Sequence, residues 1–376
     1  MISYVIPTRQ RHARLRDTLA RLGALGDHAA AGGAEVVVVD NASPDPVELS
    51  PGAAGPLRVT VLRMTDNIGA AARNEGARAA DPASAWVVML DDDSYPLDAS
   101  FAARLARQPA DVAAVSADIS LSPGPTGARG RERGGLPEVF VGCGVALRRD
   151  AFLELGGYDP EFDYYVEEYD LAARLLASGR RVAFDPGFRV EHAKDATNRD
   201  IDLVMARLVR NSAWVAQRYV PEEDRRAALR EVRRRYAAIA AREHALPGYA
   251  AGLAGFRWSR ICQKRTPLSR PLYDRFTGLQ AAREALARER ERRRFWSAAV
   301  VDEGKHAWVV HRALAEMGVR VVNEWDGPDV LVIGSMSPGP MLDATEKRIR
   351  EGRCRVIAPW TPVNDIFLPR ADRRAA

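Results

Sequence analysis

With 376 residues, 47% hydrophobic and 28% charged, the chain has the composition of a globular protein large enough for more than one domain, which sets aside disordered and fibrous classes. No apolar run approaches the roughly 20 residues that span a bilayer. The start M-I-S-Y-V-I-P-T lacks a signal-peptide pattern, so a cytoplasmic location is expected. Cys143, Cys262 and Cys354 are too widely spaced for a zinc site or a disulfide framework, and a formal net charge of +5 favours anionic partners.

Residues 2–6 form a short strand pattern that Pro7 ends; Thr8-Arg9-Gln10-Arg11 follows, then an amphipathic helix with Leu15, Leu19, Leu22 and Leu25 near helical spacing. Residues 36–39, V-V-V-V, read as a strand buried on both faces that ends in Asp40-Asn41, and residues 43–46 as a loop. A third strand, residues 59–64, leads into N-I-G-A-A-A-R-N-E-G, a glycine turn opening an alanine-rich helix at residues 67–76. The fourth, residues 86–90, ends in Asp91, Asp92 and Asp93. This alternation predicts a parallel sheet with helices on both faces and three strands ending in polar residues on one side. Bare carboxylates are too costly inside such a sheet. The three aspartates therefore belong at its carboxyl edge, where open α/β sheets bind ligands. A divalent cation is the simplest way to hold them together; a solvated acidic turn or a helix N-cap is the plainer alternative.

Residues 121–135, rich in Gly, Pro and Arg, predict a mobile loop, and residues 140–147, F-V-G-C-G-V-A-L, a further strand. After a turn at residues 156–160 comes F-D-Y-Y-V-E-E-Y-D-L-A-A-R, which becomes a helix ending near Gly179, with Asp170 and Arg174 spaced to pair. Residues 182–184 and 188–191 read as short extended segments, with His192 just after. Arg/Ala/Leu-rich helices follow over residues 201–295, where residues 225–235 hold six arginines against one glutamate. The stretch F-R-W-S-R-I-C-Q-K-R, basic with interleaved aromatics, suits peripheral contact with an anionic membrane surface. No helix-turn-helix, zinc or RNA-binding signature accompanies it, so no nucleic-acid partner is expected. Residues 298–360 return to α/β patterning; Gly304-Lys305 and G-S-M-S-P-G suit contact with a phosphate but fit neither standard phosphate-loop pattern, and packing against the preceding part is the default. The expected division is 1–198, 199–296 and 297–376.

The ordered set V-I-P-T-R, V-V-V-V-D-N-A-S, D-N-I-G-A-A-A-R-N-E-G, M-L-D-D-D, G-C-G-V-A-L-R-R-D-A-F with L-G-G-Y-D-P-E-F, and Y-Y-V-E-E-Y-D-L-A-A-R resembles the family 2 glycosyltransferases. These are inverting enzymes of the GT-A fold, and the likeness is to bacterial cell-wall and polysaccharide sugar transferases such as rhamnosyltransferases. The resemblance implies an α/β fold with a GT-A-like nucleotide-binding sheet and flanking helices over residues 1–198. A helical region and a small C-terminal α/β module of unassigned role follow. It implies that Pro7, Thr8 and Arg9 border a nucleotide, that Asp40 accepts a hydrogen bond from the base, and that Asn67, Gly69 and Arg73 border the nucleotide and its phosphates. Asp91, with Asp92 beside it, would face the ribose. Asp93 and His192 would ligate Mn²⁺ or Mg²⁺.

The family's base is usually the Asp of an E-D pair; here the pair is Glu167-Glu168, which makes Glu168 the candidate, with Glu167 or Asp170 as substitutes. On a helix, Glu167, Asp170 and Arg174 share a face and Glu168 points about 100° away, so the shared face is expected to be an internal salt-bridge set that leaves Glu168 free. The implied function is hexosyl or deoxyhexosyl transfer from a UDP- or dTDP-sugar to a hydroxyl of a saccharide or lipid-linked acceptor. It would occur in the cytoplasm or at the inner face of the membrane. The competing readings are a nucleotidyltransferase or nucleotide-sugar hydrolase, disfavoured because P-T-R-Q-R-H lacks the glycine-rich loop, and a non-catalytic nucleotide-sugar binding module.

Overall fold

The computed structural model describes all residues except 27, 123–129, 195–199, 353 and 369–376. The N-terminal part runs β1 (Ile2–Thr8), α1 (His12–Gly23), β2 (Ala34–Asp40), β3 (Arg58–Arg63), α2 (Ala72–Ala79), β4 (Trp86–Met89), β5 (Ser94–Pro96), α3 (Phe101–Leu105), β6 (Val112–Leu121), β7 (Val145–Arg148), α4 (Arg149–Glu154), α5 (Glu167–Ala177) and β8 (Arg181–His192). Its eight strands form one sheet in the order β3-β2-β1-β4-β7-β6-β8-β5. Every residue of β1, and all of β2 after Ala34, is buried, as an apolar run covered on both faces requires. Thr8 pairs with Asp40 in parallel register, and Val5 with Met89. The ends of β1, β2 and β4 therefore lie along one edge, as the alternation predicted.

The parallel pattern stops at β7, which runs antiparallel to both β4 and β6. The expected strand over residues 140–147 is also shorter than predicted, because residues 140–144 leave the sheet. A side chain on Gly144 would lie 2.8 Å from Ile119, and one on Gly142 would lie 3.0 Å from Glu168. The glycines mark close approach of other groups rather than strand positions. The two extended segments after Gly179 are one strand, β8, with an irregularity opposite Ala117 and Asp118. Of the loop expected at 121–135, residues 123–129 lie outside the described residues. Residues 130–132 return alongside β6, with Leu121 N–H donating to Gly130 C=O at 2.8 Å and Glu132 N–H to Ile119 C=O at 3.0 Å.

Five helices follow: α6 (Ile201–Tyr219), α7 (Glu222–Arg242), α8 (Leu246–Ser259), α9 (Arg270–Thr277) and α10 (Leu279–Arg292). Among the described residues no helix is long and apolar enough to cross a membrane. Helix α6 is tied to the N-terminal part by buried polar groups. Asn211 donates to the carbonyls of Phe162, Tyr164 and Tyr165 at 2.8, 3.0 and 2.8 Å. Arg218 reaches Asp170 at 2.9 Å and Asp159 at 2.6 Å.

The chain ends in β9 (Ser297–Val301), α11 (Ala307–Glu316), β10 (Arg320–Val321), β11 (Val330–Ile333), α12 (Pro338–Glu351), β12 (Val356–Ile357) and α13 (Thr361–Phe367), whose strands form a parallel sheet β10-β9-β11-β12. This module packs firmly on the rest. Ser337 Oγ donates to the carbonyls of Arg133 and Gly134 at 2.9 and 2.7 Å, and Arg131 binds Asp343 at 2.7 Å. One apolar cluster runs from Val5 and Val37 of the first sheet to Ile333 and Val363 of the module.

Candidate active site

A cavity of about 980 Å³ opens at the carboxyl edge of the first sheet and runs on between α5, α7, α9 and the start of α11. Pro7, Thr8, Arg9, Asn67, Arg73, Asp91, Asp92, Asp93, Glu168 and His192 all line it. Asp40 and Gly69 do not. Asp40 is 1% exposed and both its oxygens are engaged, one by Ser43 N–H at 2.9 Å, the other by Val47 N–H at 3.1 Å and Arg63 at 2.6 Å. Burial works to raise its pKa, but these hydrogen bonds and the Arg63 charge outweigh it and hold the carboxyl below its ordinary value. Asp40 is thus engaged by the loop after β2 and lies outside the cavity lining, away from where the expected contact with a base would be made. Gly69 shapes the loop instead: its φ is +61°, and a Cβ there would lie 2.4 Å from the Asp163 carbonyl oxygen. Asn41 holds Asn67 in place, donating to Asn67 Oδ1 at 2.8 Å while accepting from Ile68 N–H at 2.9 Å.

The three aspartates point in different directions. Asp92 turns inward, accepting from Thr8 Oγ1 at 2.7 Å and Arg11 at 2.5 Å, while its carbonyl takes Thr18 Oγ1 at 2.8 Å. Burial pushes its carboxyl up to about 7 against the pull of Arg11 and Thr8. Its role is to pin β1 and α1 beneath the site. Asp91 is held by the buried Arg73. Asp93 gives one oxygen to Arg11 at 2.5 Å; the other, Oδ1, lies 3.2 Å from His192 Nε2 but receives no well-aligned hydrogen bond from any group. Burial opposes its charge, yet His192 and Arg11 hold its pKa down to about 2.

His192, at the end of β8 opposite Ser94, presents Nε2 to Asp93 and, at 3.9 Å, to Asp91. Its Nδ1 sits 3.0 Å from Glu132 Oε1 and 3.4 Å from Cys143 Sγ. Burial lowers its pKa, but Cys143, Asp93 and Glu132 together raise it above the ordinary value. Ligand atoms of Asp91, Cys143 and His192 lie within 4.8 Å of one another, and Asp93 Oδ1, which has no hydrogen-bond partner, lies 3.2 Å from the same imidazole. Carboxylate oxygens with one imidazole suit a hard divalent ion such as Mn²⁺ or Mg²⁺. The Cys143 thiol is pushed up to about 11, chiefly by burial, and serves better as a neighbour of Nδ1. The carboxylates and the imidazole gathered here therefore suit the expected divalent cation once the imidazole is neutral.

Across the cavity stands the start of α5. The turn before it is unusual: Asp163, Tyr165 and Val166 have φ of +59°, +71° and +72°. Such positions cost about 1–3 kcal/mol each and persist where the surroundings over-determine them; here Asn211 clamps the carbonyls of this turn. Glu168 accepts from Gly142 N–H at 3.2 Å. Glu167 is 4% exposed and its Oε2 has no hydrogen-bond partner. The expected salt-bridge face is only partly formed. Asp170 is fully buried and bound by Arg174 at 2.8 Å, Arg218 at 2.9 Å and the Tyr219 hydroxyl at 2.6 Å, which removes it as a candidate base. Glu167 takes no part in that set and faces the cavity with Glu168. Burial raises both carboxyls. Glu167 lies well above the ordinary value because the charge of Glu168 adds to its burial.

Among the cavity residues not assigned from the sequence, four stand next to the candidate groups. Arg11 bridges Asp92 and Asp93. Glu132, from the Gly/Pro/Arg-rich stretch, orients His192. Tyr169 lines the wall beside Glu168, and Lys305 reaches in from the C-terminal module. The last carried a signal, the Gly304-Lys305 pair; the first three carried none.

Residues 3–156 match the family described as Glycosyl transferase family 2. No curated protein matches the chain. Similar solved structures include a mannosyltransferase from Pyrobaculum calidifontis in complex with GDP-Man and Mn²⁺ (19% identity, 73% of this chain and 83% of that one, TM-score 0.44). S. aureus TarS 1–349 in complex with UDP-GlcNAc is similar at 14% identity (78% of this chain, 88% of that one, TM-score 0.49). GalNAc-T7 with UDP, GalNAc and Mn²⁺ is similar at 18% identity (70% and 55%, TM-score 0.47). The strand-end motifs and most of the mixed sheet lie within residues 3–156, the stretch that matches the glycosyl transferase family 2 model.

Proposed function

We propose that the protein transfers a sugar, with inversion, from a nucleoside diphosphate donor to an acceptor hydroxyl, assisted by Mn²⁺ or Mg²⁺. The observation that carries this reading is the pairing, across one cavity, of Asp91, Asp93 and His192 on one wall with the Glu167-Glu168 pair on the other. Asp91, Asp93 and His192 would hold the cation, which when bound neutralises the charge of a leaving diphosphate. Arg11 and Arg73 fix Asp93 and Asp91 in place, and Glu132 holds the His192 ring. Glu167 and Glu168 are close enough that one carboxyl keeps its proton. Glu167, the more strongly raised, keeps it, and Glu168, steadied by Gly142 N–H, is the base that takes the proton of the acceptor hydroxyl.

A UDP- or dTDP-linked hexose or deoxyhexose as donor fits this scheme, as does a saccharide or lipid-linked acceptor. For the latter, Trp258 and Ile261 are 81% and 84% exposed at the end of α8. They stand among the exposed Arg257, Arg260 and Lys264, a surface suited to an anionic membrane face.

The test is a panel of nucleotide sugars with Mn²⁺ and hydroxyl acceptors, with products read by mass and anomeric configuration. Acceptor-dependent release of nucleoside diphosphate and a β-linked product from an α-linked donor are expected. A retained anomer would refute inversion, and release of nucleoside monophosphate would point to a nucleotide-sugar hydrolase.

A further inference from the structure

We propose that the C-terminal module completes the acceptor end of the cavity, where Lys305, with Arg235 of α7, holds an anionic group, phosphate or carboxylate, that the acceptor carries beside its reactive hydroxyl. This rests on the glycosyltransferase reading and names the substrate class.

Lys305 sits in the loop between β9 and α11, and that loop is fastened on every side. Met336 N–H donates to the Lys305 carbonyl at 2.9 Å, and Gly304 N–H to Gly334 C=O at 2.9 Å. His306 Nδ1 lies 3.1 Å from the Thr277 carbonyl at the end of α9. Asp302 and His306 adopt φ of +50° and +58°, conformations that persist only where the surrounding structure imposes them. The loop is held so that it aims Lys305 into the cavity, next to the equally constrained turn that leads into α5.

The ammonium has little to match its charge. It donates to the Tyr169 hydroxyl and lies 4.3 Å over the Tyr169 ring. Among the described residues no carboxylate is within salt-bridge distance of it. Its side chain is partly buried and lines the cavity. Burial pushes its pKa down to about 8, with Glu168 pulling the other way. Arg235 also lines the cavity, its charge, like that of Lys305, acts on the intervening His306, and it likewise has no ion-pair partner among the described residues. Its neighbours differ: the cavity carboxylates Glu231 and Asp224 are committed to Arg234 and Arg270, and Arg312 to Glu316 at 3.0 Å. Two cations without ion-pair partners in one cavity wall are costly until an anion meets them.

The position of Lys305 selects the acceptor over the donor. Its platform, Tyr169, is the residue after Glu168. A hydroxyl at Glu168 and an anionic group at Lys305 can thus belong to one molecule, while the diphosphate end of the donor lies across the cavity at Asp91, Asp93 and His192. Trp308 and Phe276 add aromatic walls for the body of the acceptor.

The experiment uses the full chain saturated with Mn²⁺ and the nucleoside diphosphate that stabilises it, so that the donor site is filled. Glycerol 3-phosphate, lactate and neutral glycerol are then titrated calorimetrically. Glycerol 3-phosphate or lactate is expected to bind and glycerol not to, and the two anions distinguish a phosphate from a carboxylate subsite. Lys305→Met should weaken the anion by about tenfold or more, the loss of one charged hydrogen bond, and Lys305→Arg should retain binding. Unchanged nucleotide stabilisation in both variants shows that they fold. Equal anion binding by Lys305→Met, or anions binding no better than glycerol, would overturn the proposal and leave the glycosyltransferase reading standing. If no nucleotide stabilises the chain at all, that reading fails and this one with it.

Discussion

Replacing Glu168 by Gln is expected to lower sugar transfer by about 10²–10⁴-fold, the usual contribution of a positioned general base, while donor affinity stays near that of the unaltered protein. Gln keeps the shape of the side chain and can still accept from Gly142 N–H, so the loss isolates proton removal. Glu167→Gln is expected to be far milder. Burial and the charge of Glu168 raise the Glu167 carboxyl well above its ordinary value, which favours its protonated form, and an amide imitates a protonated carboxyl. The pH profile supplies an independent check. Burial raises the Glu168 pKa, and only the deprotonated form can accept a proton. The rate must therefore fall as pH falls through that raised value, on a limb lying above the ordinary glutamate value of about 4.3, and Glu168→Gln should erase the limb. If Glu168→Gln transfers at the unaltered rate while Glu167→Gln does not, the two roles are reversed.

Asp93→Asn should reduce transfer by about 10²–10³-fold, the range for removing one preorganised charge at a reacting centre, and should raise the Mn²⁺ concentration needed for half-maximal rate. Asn preserves volume in a pocket where Asp93 is almost fully buried, but it removes the negative charge and leaves one oxygen for the two places, His192 Nε2 and Arg11, that Asp93 serves with two. Rate and metal dependence must move together if Asp93 is a ligand. A lowered melting temperature with unchanged Mn²⁺ dependence would make Asp93 a structural anchor for Arg11 and His192 instead.

These residues differ in how far they could be read from the sequence, and the differences are physical. The apolar strands ending in carboxylates were legible because a buried run cannot absorb Asp91 to Asp93, and the structure puts Thr8, Asp40 and Asp91 along one edge as expected. Which way each aspartate turns was not legible. Asp92 faces Thr8 and Arg11, and Asp40 is consumed by Ser43, Val47 and Arg63; these are choices of tertiary neighbours, invisible to periodicity. The E-E pair was found, but helical geometry alone placed Glu167 with Asp170 and Arg174. The charge on Asp170 is met instead by Arg174, Arg218 and Tyr219, two of them from α6, a helix far along the chain. Glu132 lay in a stretch whose composition reads only as loop, and its meeting with His192 depends on residues 130–132 returning beside β6. The shortened β7 follows from glycines that looked like strand interior and in fact admit Ile119 and Glu168.

Thermal unfolding with UDP, dTDP, GDP and CDP, each with and without Mn²⁺, bears most directly on the glycosyltransferase site. A nucleotide at a hundred times its dissociation constant adds about 2.7 kcal/mol of stability. One nucleotide should raise the melting temperature clearly, and only with Mn²⁺ present, if Asp91, Asp93 and His192 hold the cation as proposed. A folded chain that none of the four stabilises, with or without Mn²⁺, would contradict the assignment of this cavity to a nucleotide-sugar donor.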